Sequence, residues 1–276
     1  MRRALPFSCA TACLALTIAG CGAGEGSGPA GAKATPSATS ATSATSATSA
    51  HGATVRAAVA ATSRTSARMT QKHRLDGSAS QGTIDITGSG DFDFAKDRGS
   101  ITVTLGGTAT FQEVFADGKV YMRGGATGVE ERDWYISDRD RSPARHLLRA
   151  PANDPEYTLR QAGMAEDFVR AGEEELGGAP VVRYRGALPH EALTLRMEKE
   201  TKDKLEEMRQ GLGGRIPVDV DVWVDARGRA VQTRLAFDVA GVKSVNTVTF
   251  TELGKTVKVD VPQGEVVDAP APPEAG

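Results

Sequence analysis

Apolar and polar positions alternate through most of the chain after residue 83, and this pattern predicts β-strands because successive side chains of a strand point to opposite faces. The clearest run is 218–225, in which every second residue is valine and the residues between are aspartate or tryptophan. The pattern predicts an antiparallel sheet with one apolar and one polar face. Similar alternation covers 84–94, 101–105, 111–122, 231–239, 244–252 and 256–261.

Short turn signals separate these runs. Asp117-Gly118 predicts a tight hairpin, since both residue types tolerate positive φ. Ala226-Arg227-Gly228 predicts the turn that follows the valine-rich strand. Gly88-Ser89-Gly90 predicts a hairpin kink or a bulge within 84–94, because glycines in strand-like sequence more often mark a bend than a phosphate loop.

Three segments carry helical signals. Ala53–Ser63 is rich in alanine and has Val55 and Val59 four residues apart. Asp154-Pro155-Glu156 is a favoured helix start, and the helix is predicted to continue through Phe168. The third helix is predicted from Pro189 to about Gln210. A long antiparallel sheet with helices on its apolar side is an α+β arrangement.

The N-terminus has the features of a secretory signal. Arg2 and Arg3 precede an uncharged, largely apolar run over 4–19, which is shorter than the roughly 20 residues that a membrane-spanning helix needs. The run ends in Leu-Thr-Ile-Ala-Gly-Cys at 16–21, which resembles the lipobox of bacterial lipoproteins. That resemblance implies cleavage before Cys21 and attachment of a diacylglycerol to its thiol. An ordinary cleaved signal is the alternative.

Composition divides the rest of the chain. The predicted organisation is a lipoprotein signal peptide at 1–20, a lipidated cysteine with a disordered tether rich in Ala, Ser and Thr at 21–52, one folded domain at 53–268, and a disordered tail at 269–276. All three cysteines lie within the first 21 residues. Disulfides, thiolate zinc sites and cysteine nucleophiles are therefore excluded from the predicted domain.

Charge and histidine content exclude several function classes. The 33 Lys and Arg residues nearly balance 35 Asp and Glu, so the basic footprint of a nucleic-acid-binding domain is absent and no nucleic-acid partner is expected. His73, His146 and His190 lack paired metal-ligand spacing and are expected at the surface. The sequence contains neither a Gly-x-Ser-x-Gly elbow nor a Walker loop. We expect no enzyme activity, no cofactor and no metal.

Acidic residues offer one alternative to this view. Asp219, Asp221 and Asp225 share a strand face and are candidates for calcium binding, although alternate aspartates on a strand more often form its solvent face. Glu173-Glu174-Glu175 is most simply a solvated charge run.

The order of elements is similar to that of the LprG/LppX-type lipoproteins of actinobacteria. The resemblance rests on the lipobox, the tether, Lys119-Val120-Tyr121-Met122-Arg123 with Trp134-Tyr135 after it, and the strand turn Val222-Trp223-Val224-Asp225-Ala226-Arg227-Gly228. It implies a LolA-like fold, a strongly curved half-barrel whose open side is covered by helices around a hydrophobic cavity for acyl chains. It also implies an envelope lipoprotein, anchored to the extracytoplasmic face of the cell membrane through acylated Cys21.

The implied ligand is an acylated lipid or a glycolipid, and an export transporter or another envelope protein is a further expected partner. A non-catalytic sensor or protein-interaction module without a lipid ligand is the alternative function. A solute-binding protein for a transporter is disfavoured, because the two βαβ lobes typical of that class are missing from the predicted elements.

Strand parity selects the residues that would line the cavity, since a slip of one residue would turn the whole set outward. Phe168, Leu193 and Met197 are predicted to form a helical lid. A filled core would give the same sequence pattern. The predicted lining comprises Ile84, Ile86, Ile101, Val103, Leu105, Val120, Met122, Val220, Val222, Leu235 and Phe237 together with the three lid residues.

Overall fold

The computed structural model describes residues 39–77, 82–124, 133–139, 154–197, 199–239, 241–263 and 266–268. The predicted signal peptide, Cys21, the first part of the tether, His146 and the C-terminal tail lie outside the described residues. Within the described ranges, no helix is long and apolar enough to cross a membrane.

The described strands number twelve and the helices four. The helices are α1 Thr39–Thr62, α2 Pro155–Met164, α3 His190–Leu193 and α4 Lys199–Gly211. The strands are β1 Ser66–Asp76, β2 Thr83–Asp93, β3 Arg98–Leu105, β4 Ala109–Ala116, β5 Lys119–Gly124, β6 Trp134–Asp138, β7 Glu166–Leu176, β8 Ala179–Ala187, β9 Val218–Asp225, β10 Ala230–Val239, β11 Val242–Thr251 and β12 Val266–Asp268.

The strands form one open sheet in the order β12-β6-β5-β4-β3-β2-β1-β11-β10-β9-β8-β7. Two antiparallel meanders, β1 to β6 and β7 to β11, are joined where β1 pairs with β11. The short β12 runs parallel to β6. The sheet is curved and unclosed, and the predicted α+β half-barrel with helices on its concave face is confirmed.

Helix α1 lies against β7, β9 and β10, and α2 packs on α1 and on β9 and β10. Val55, Ala58 and Val59 form the buried stripe of α1. The helix starts at Thr39, inside the predicted tether, so the boundary predicted at residue 53 is corrected. Once the docked part has formed the first helical turn, each added residue gains one backbone hydrogen bond without a new nucleation cost.

The second predicted helix is shorter than expected. Asp154 caps α2 by accepting hydrogen bonds from the backbone N–H groups of Glu156 at 3.0 Å and Tyr157 at 3.3 Å. The helix ends at Met164, and Phe168 lies in β7, so its predicted place in a helical lid is wrong. A Cβ on Gly186 of β8 would approach the Phe168 ring to 2.9 Å, which shows how closely the ring covers that glycine.

The third predicted helix is divided into α3 and α4. Arg196, between them, has φ of 57°, which breaks helical geometry. Its guanidinium donates to Asp154 at 3.0 Å and to Glu156 at 2.8 Å. The residue at which the predicted helix is broken is therefore also the one that pairs with carboxylates at the start of α2.

Other local predictions have mixed outcomes. Asp117 and Gly118 form the hairpin turn with φ of 51° and 71°, as predicted. Gly88-Ser89-Gly90 lies inside the continuous strand β2. A Cβ on Gly90 would lie 2.0 Å from the carbonyl oxygen of Ser100, so glycine permits close approach of β3. The strand predicted at 256–261 is irregular chain.

Candidate functional site

The concave face carries the residues that strand parity selected. All fourteen predicted lining residues belong to one apolar cluster. The half-buried members are Ile84, Leu105, Met122, Leu235 and Phe237. The buried members are Ile86, Ile101, Val103, Val120, Phe168, Leu193, Met197, Val220 and Val222.

Four half-buried members lie at the same end of the concave face. Ile84 and Phe237 lie in one row across the sheet. Ile84 of β2 pairs with Leu75 of β1, Leu75 pairs with Ser244 of β11, and Ser244 pairs with Phe237 of β10. Leu105 and Leu235 lie in the neighbouring row. We call this end, defined by Ile84, Leu105, Leu235 and Phe237, the open end.

Deeper in the concavity the face is tightly packed. Val103, Val220 and Val222 have no exposed surface. Beside them Thr233 is also fully buried, and its hydroxyl oxygen has no hydrogen-bond partner among the described residues. The apolar cluster is therefore filled in its interior and partly exposed at the open end.

A polar band crosses the same face on β1 and β11, and we define it as Gln71, His73, Ser244 and Asn246. The amide nitrogen of Gln71 donates to Asn246 Oδ1 at 3.0 Å, and His73 Nε2 lies 2.9 Å from Ser244 Oγ. Three members are buried, with Gln71 2%, Ser244 4% and His73 6% exposed. The expected surface position of His73 is therefore wrong.

Sequence reasoning missed β1 and its contribution to this band. The inward positions of β1 include Met69, Gln71 and His73. Because two of those three are polar, the apolar-polar alternation that marks the other strands is lost there. The remaining signal was the common parity of Ala67, Met69 and Leu75.

A buried ion network fixes α2 beneath the sheet. Arg139, only 3% exposed, donates to both carboxylate oxygens of Asp154 at 2.6 and 2.7 Å and also pairs with Asp97. Its guanidinium lies 5.4 and 5.2 Å from the ring centroids of Phe92 and Phe115. Burial alone would lower the pKa of Arg139, but the two aspartates outweigh it and raise that pKa.

The outer face of β9 contradicts the calcium alternative. Asp221 is fully buried and accepts hydrogen bonds from Arg183 at 2.9 and 3.0 Å, Arg185 at 3.0 Å and Arg234 at 3.1 Å. Asp225 pairs with Arg229 at 2.6 Å, while Asp219 is exposed. Three cations around Asp221 exclude a further cation there, and the described residues contain no cluster of three or more metal-ligating side chains.

Glu174 of the predicted charge run is also engaged on this outer face. It accepts a hydrogen bond from the indole N–H of Trp223 at 2.7 Å and one from Arg183 at 3.1 Å. These contacts lower the pKa of the Glu174 carboxyl, the Trp223 bond most of all. The tryptophan of the strand-turn motif therefore packs on the outer face, away from the concavity.

Among the pockets of the described residues, two are bordered by helices. One of about 150 Å³ lies between β7, the β8–α3 connection and α4, and it includes Leu193 and His190. The other, of about 400 Å³, is a groove between α1 and α2.

No family model and no curated protein matches the chain. The chain is similar in structure to LprF from Mycobacterium bovis, with a TM-score of 0.47 and 12% identity over 78% of this chain and 98% of that one. LppX from Mycobacterium tuberculosis is similar with a TM-score of 0.47 and 13% identity, over 77% of this chain and 99% of that one. For the LolA superfamily protein NE2245 from Nitrosomonas europaea, the TM-score is 0.31 and the identity 8%, over 77% of this chain and 94% of that one.

The similar structures thus include the LppX and LolA types that the sequence resembles.

Proposed function

We propose that the protein is a membrane-anchored envelope lipoprotein that binds and carries an acylated lipid or lipid-linked molecule on the concave face of its sheet, without chemical change. The open end is the observation that supports this proposal. There, four half-buried apolar side chains continue into a buried apolar cluster. An acyl chain at the open end would remove both its own surface and that of these side chains from water.

The expected affinity comes mainly from apolar burial. Each buried methylene contributes about 0.8 kcal/mol, whatever the identity of the lipid. Because Val103, Val220 and Val222 are already fully buried, a chain that penetrates further displaces the side chains that cover them. The polar band next to the open end offers hydrogen-bonding groups to the ester or hydroxyl groups that accompany an acyl chain.

The first test is direct. The full chain is purified from its native host, extracted with organic solvent and analysed by mass spectrometry. We expect a stoichiometric acyl lipid in addition to any acyl groups attached to the chain itself. A protein that yields no such lipid and binds no fluorescent fatty acid would contradict the carrier function.

A matched pair of variants locates the ligand. Leu235→Trp fills space at the open end, so we expect weaker binding of a fluorescent fatty acid. Ala236→Trp, on the opposite face of the same strand, is the control and should bind as the wild type does. Equal binding by both variants would exclude the open end as the site.

The sensor or interaction module remains the second candidate, and the dense packing around Val222 favours it. In a permanently filled core, Val222→Trp would overpack the interior and destabilise the protein by about 1 to 3 kcal/mol. In a carrier that opens to admit lipid, the same change would also reduce lipid binding. Denaturant titration and fatty-acid binding on this variant separate the two functions.

Anchoring through acylated Cys21 is part of the same proposal and places the protein on the extracytoplasmic face of the membrane. An export transporter or another envelope protein as partner remains a prediction from the resemblance, as does the lack of enzyme activity.

A further inference from the structure

The groove between α1 and α2 combines positive charge with an apolar floor. Arg56 and Arg64 border it from α1 and the residues that follow it, and Arg160 borders it from α2. The floor includes Val59, Ala60 and Met164. Its volume of about 400 Å³ is sufficient for a small polar head group.

The three arginines lack partners within the described part of the chain. None of their guanidinium groups forms an ion pair or a hydrogen bond there. In contrast, Arg139 and Arg196 each pair with carboxylates. The one carboxylate at the groove, Glu156, is engaged by Arg196 at 2.8 Å. The groove therefore carries positive charge that the described residues leave uncompensated.

Close packing of α2 on α1 sets the depth of the groove. A Cβ on Gly163 would lie 3.1 Å from Val59 Cγ1, so the backbone of α2 packs tightly against this side chain of α1. Arg56, Ala60 and Arg64 follow one another at intervals of four residues, which aligns them along one side of α1 and its C-terminal end. The two rims are thus held by helix packing, and the guanidinium groups project from fixed backbones.

We propose that this groove binds the phosphate-bearing head group of an anionic phospholipid and docks the domain on a membrane surface. Arginine is suited to phosphate oxygens because its planar fork donates two parallel hydrogen bonds. The apolar floor favours a lipid over a free anion, since the glycerol and first methylenes of a lipid would cover it.

The path of the chain supports a membrane source and rests on the proposed anchoring. Residues 22–38 separate Cys21 from the start of α1. In chain order, α1 is the first described element after Cys21. A fully extended segment of this length reaches about 60 Å, which is long enough for α1 to contact the membrane that holds Cys21. Arginines of α1 would then meet the surface potential of anionic lipids.

The test is chemical footprinting of arginine in the full chain with phenylglyoxal, read residue by residue by mass spectrometry. The chain is mixed with vesicles of phosphatidylcholine alone or of phosphatidylcholine with phosphatidylglycerol. We expect modification of Arg56, Arg64 and Arg160 to slow about fivefold with phosphatidylglycerol, since each basic residue at an anionic surface gains of the order of a factor of five in binding. Arg215 and Arg227, exposed elsewhere, are internal controls.

A variant pair tests the same inference by vesicle binding. Replacement of the three groove arginines by glutamine should abolish the stronger binding to vesicles that contain phosphatidylglycerol. The control carries Lys72→Gln, Arg215→Gln and Arg227→Gln, which lowers the net charge equally at exposed positions outside the groove. Retained binding in the control and loss in the groove variant are the expected results.

Three results would overturn the proposal. Equal protection by inorganic phosphate would identify a soluble-anion pocket. Equal protection of Arg215 and Arg227 would indicate only general attraction to the surface. Unchanged rates at all five arginines would exclude docking. Because footprinting does not depend on lipid extracted from the concave face, failure of the carrier function and failure of the groove are separable.

Discussion

Asp221 shows how much one residue contributes on the outer face of the sheet. It is fully buried, yet it stays ionised because Arg183, Arg185 and Arg234 surround it. Burial by itself would raise the pKa of this carboxyl, but hydrogen bonds and charge from Arg183 and Arg185 outweigh burial and lower it. Removing the carboxylate would leave three like charges close together.

We predict that Asp221→Asn lowers the free energy of unfolding by about 3 kcal/mol near neutral pH, the cost typical of breaking a buried ion pair. Because the pKa of Asp221 is lower in the folded protein, its contribution is fully present above the ordinary carboxyl pKa of about 4. That contribution is lost as pH falls through the lower folded pKa.

Urea titrations across this pH range measure the effect. The difference in free energy of unfolding between wild type and Asp221→Asn should be constant near neutral pH and should become smaller below about pH 4. Asp219→Asn, on the exposed neighbour in the same strand, is the control and should follow the wild type. A difference that widens on acidification would contradict a lowered pKa of Asp221 in the folded protein.

At the scale of elements, α2 is held by the residue that caps it. Asp154 both caps the helix and receives the two-pronged donation of Arg139. The cap belongs to the helix, while the arginine comes from the end of β6 and also contacts Phe92 and Phe115. Helix and sheet are therefore joined through one carboxylate.

We predict that Asp154→Ala destabilises the protein by about 3 to 5 kcal/mol, since it leaves the Arg139 charge buried without this partner. A cap alone would account for about 1 kcal/mol. Asp203→Ala in α4, which breaks an exposed ion pair with Lys199, is the control and should change stability by less than about 0.5 kcal/mol, because the better helix propensity of alanine offsets the lost pair. Similar losses in both variants, measured by denaturant titration, would contradict the buried-network account.

At the scale of the whole molecule, β1 and β11 unite the two meanders. Their pairing joins Arg68 to Thr251 and Asp76 to Lys243, residues from opposite ends of the described domain. Pairings between such distant residues carry a high loop-closure cost and are typical of slowly folding proteins. The concave face is complete only after this seam has formed, since the polar band lies across it.

Anchoring is a further property of the whole molecule. We predict that Cys21→Ser, expressed in a host that lipidates lipoproteins, releases the protein from the membrane or leaves an uncleaved precursor. Two acyl chains give stable attachment, whereas one gives only marginal attachment. Membrane fractionation and mobility on a denaturing gel measure the outcome. A variant that fractionates and migrates like the wild type would exclude lipidation at Cys21.

The sequence by itself determined the features that depend on near neighbours. The hairpin at Asp117-Gly118 needs positive φ, the cap at Asp154 needs a short acceptor side chain, and the inward set follows from strand parity. Each of these is set within a few residues, so local pattern was sufficient.

Only the tertiary structure decided the features that depend on distant partners. His73 is buried, and its ring shares a hydrogen bond with the hydroxyl of Ser244, 171 residues away. Arg196, where the predicted helix is broken, donates a hydrogen bond to Asp154, 42 residues away. The guanidinium of Arg160 has no carboxylate partner among the described residues, because the carboxylate at the groove pairs with Arg196. Burying a polar side chain without a partner costs free energy, and the fold alone determines which partners lie within reach.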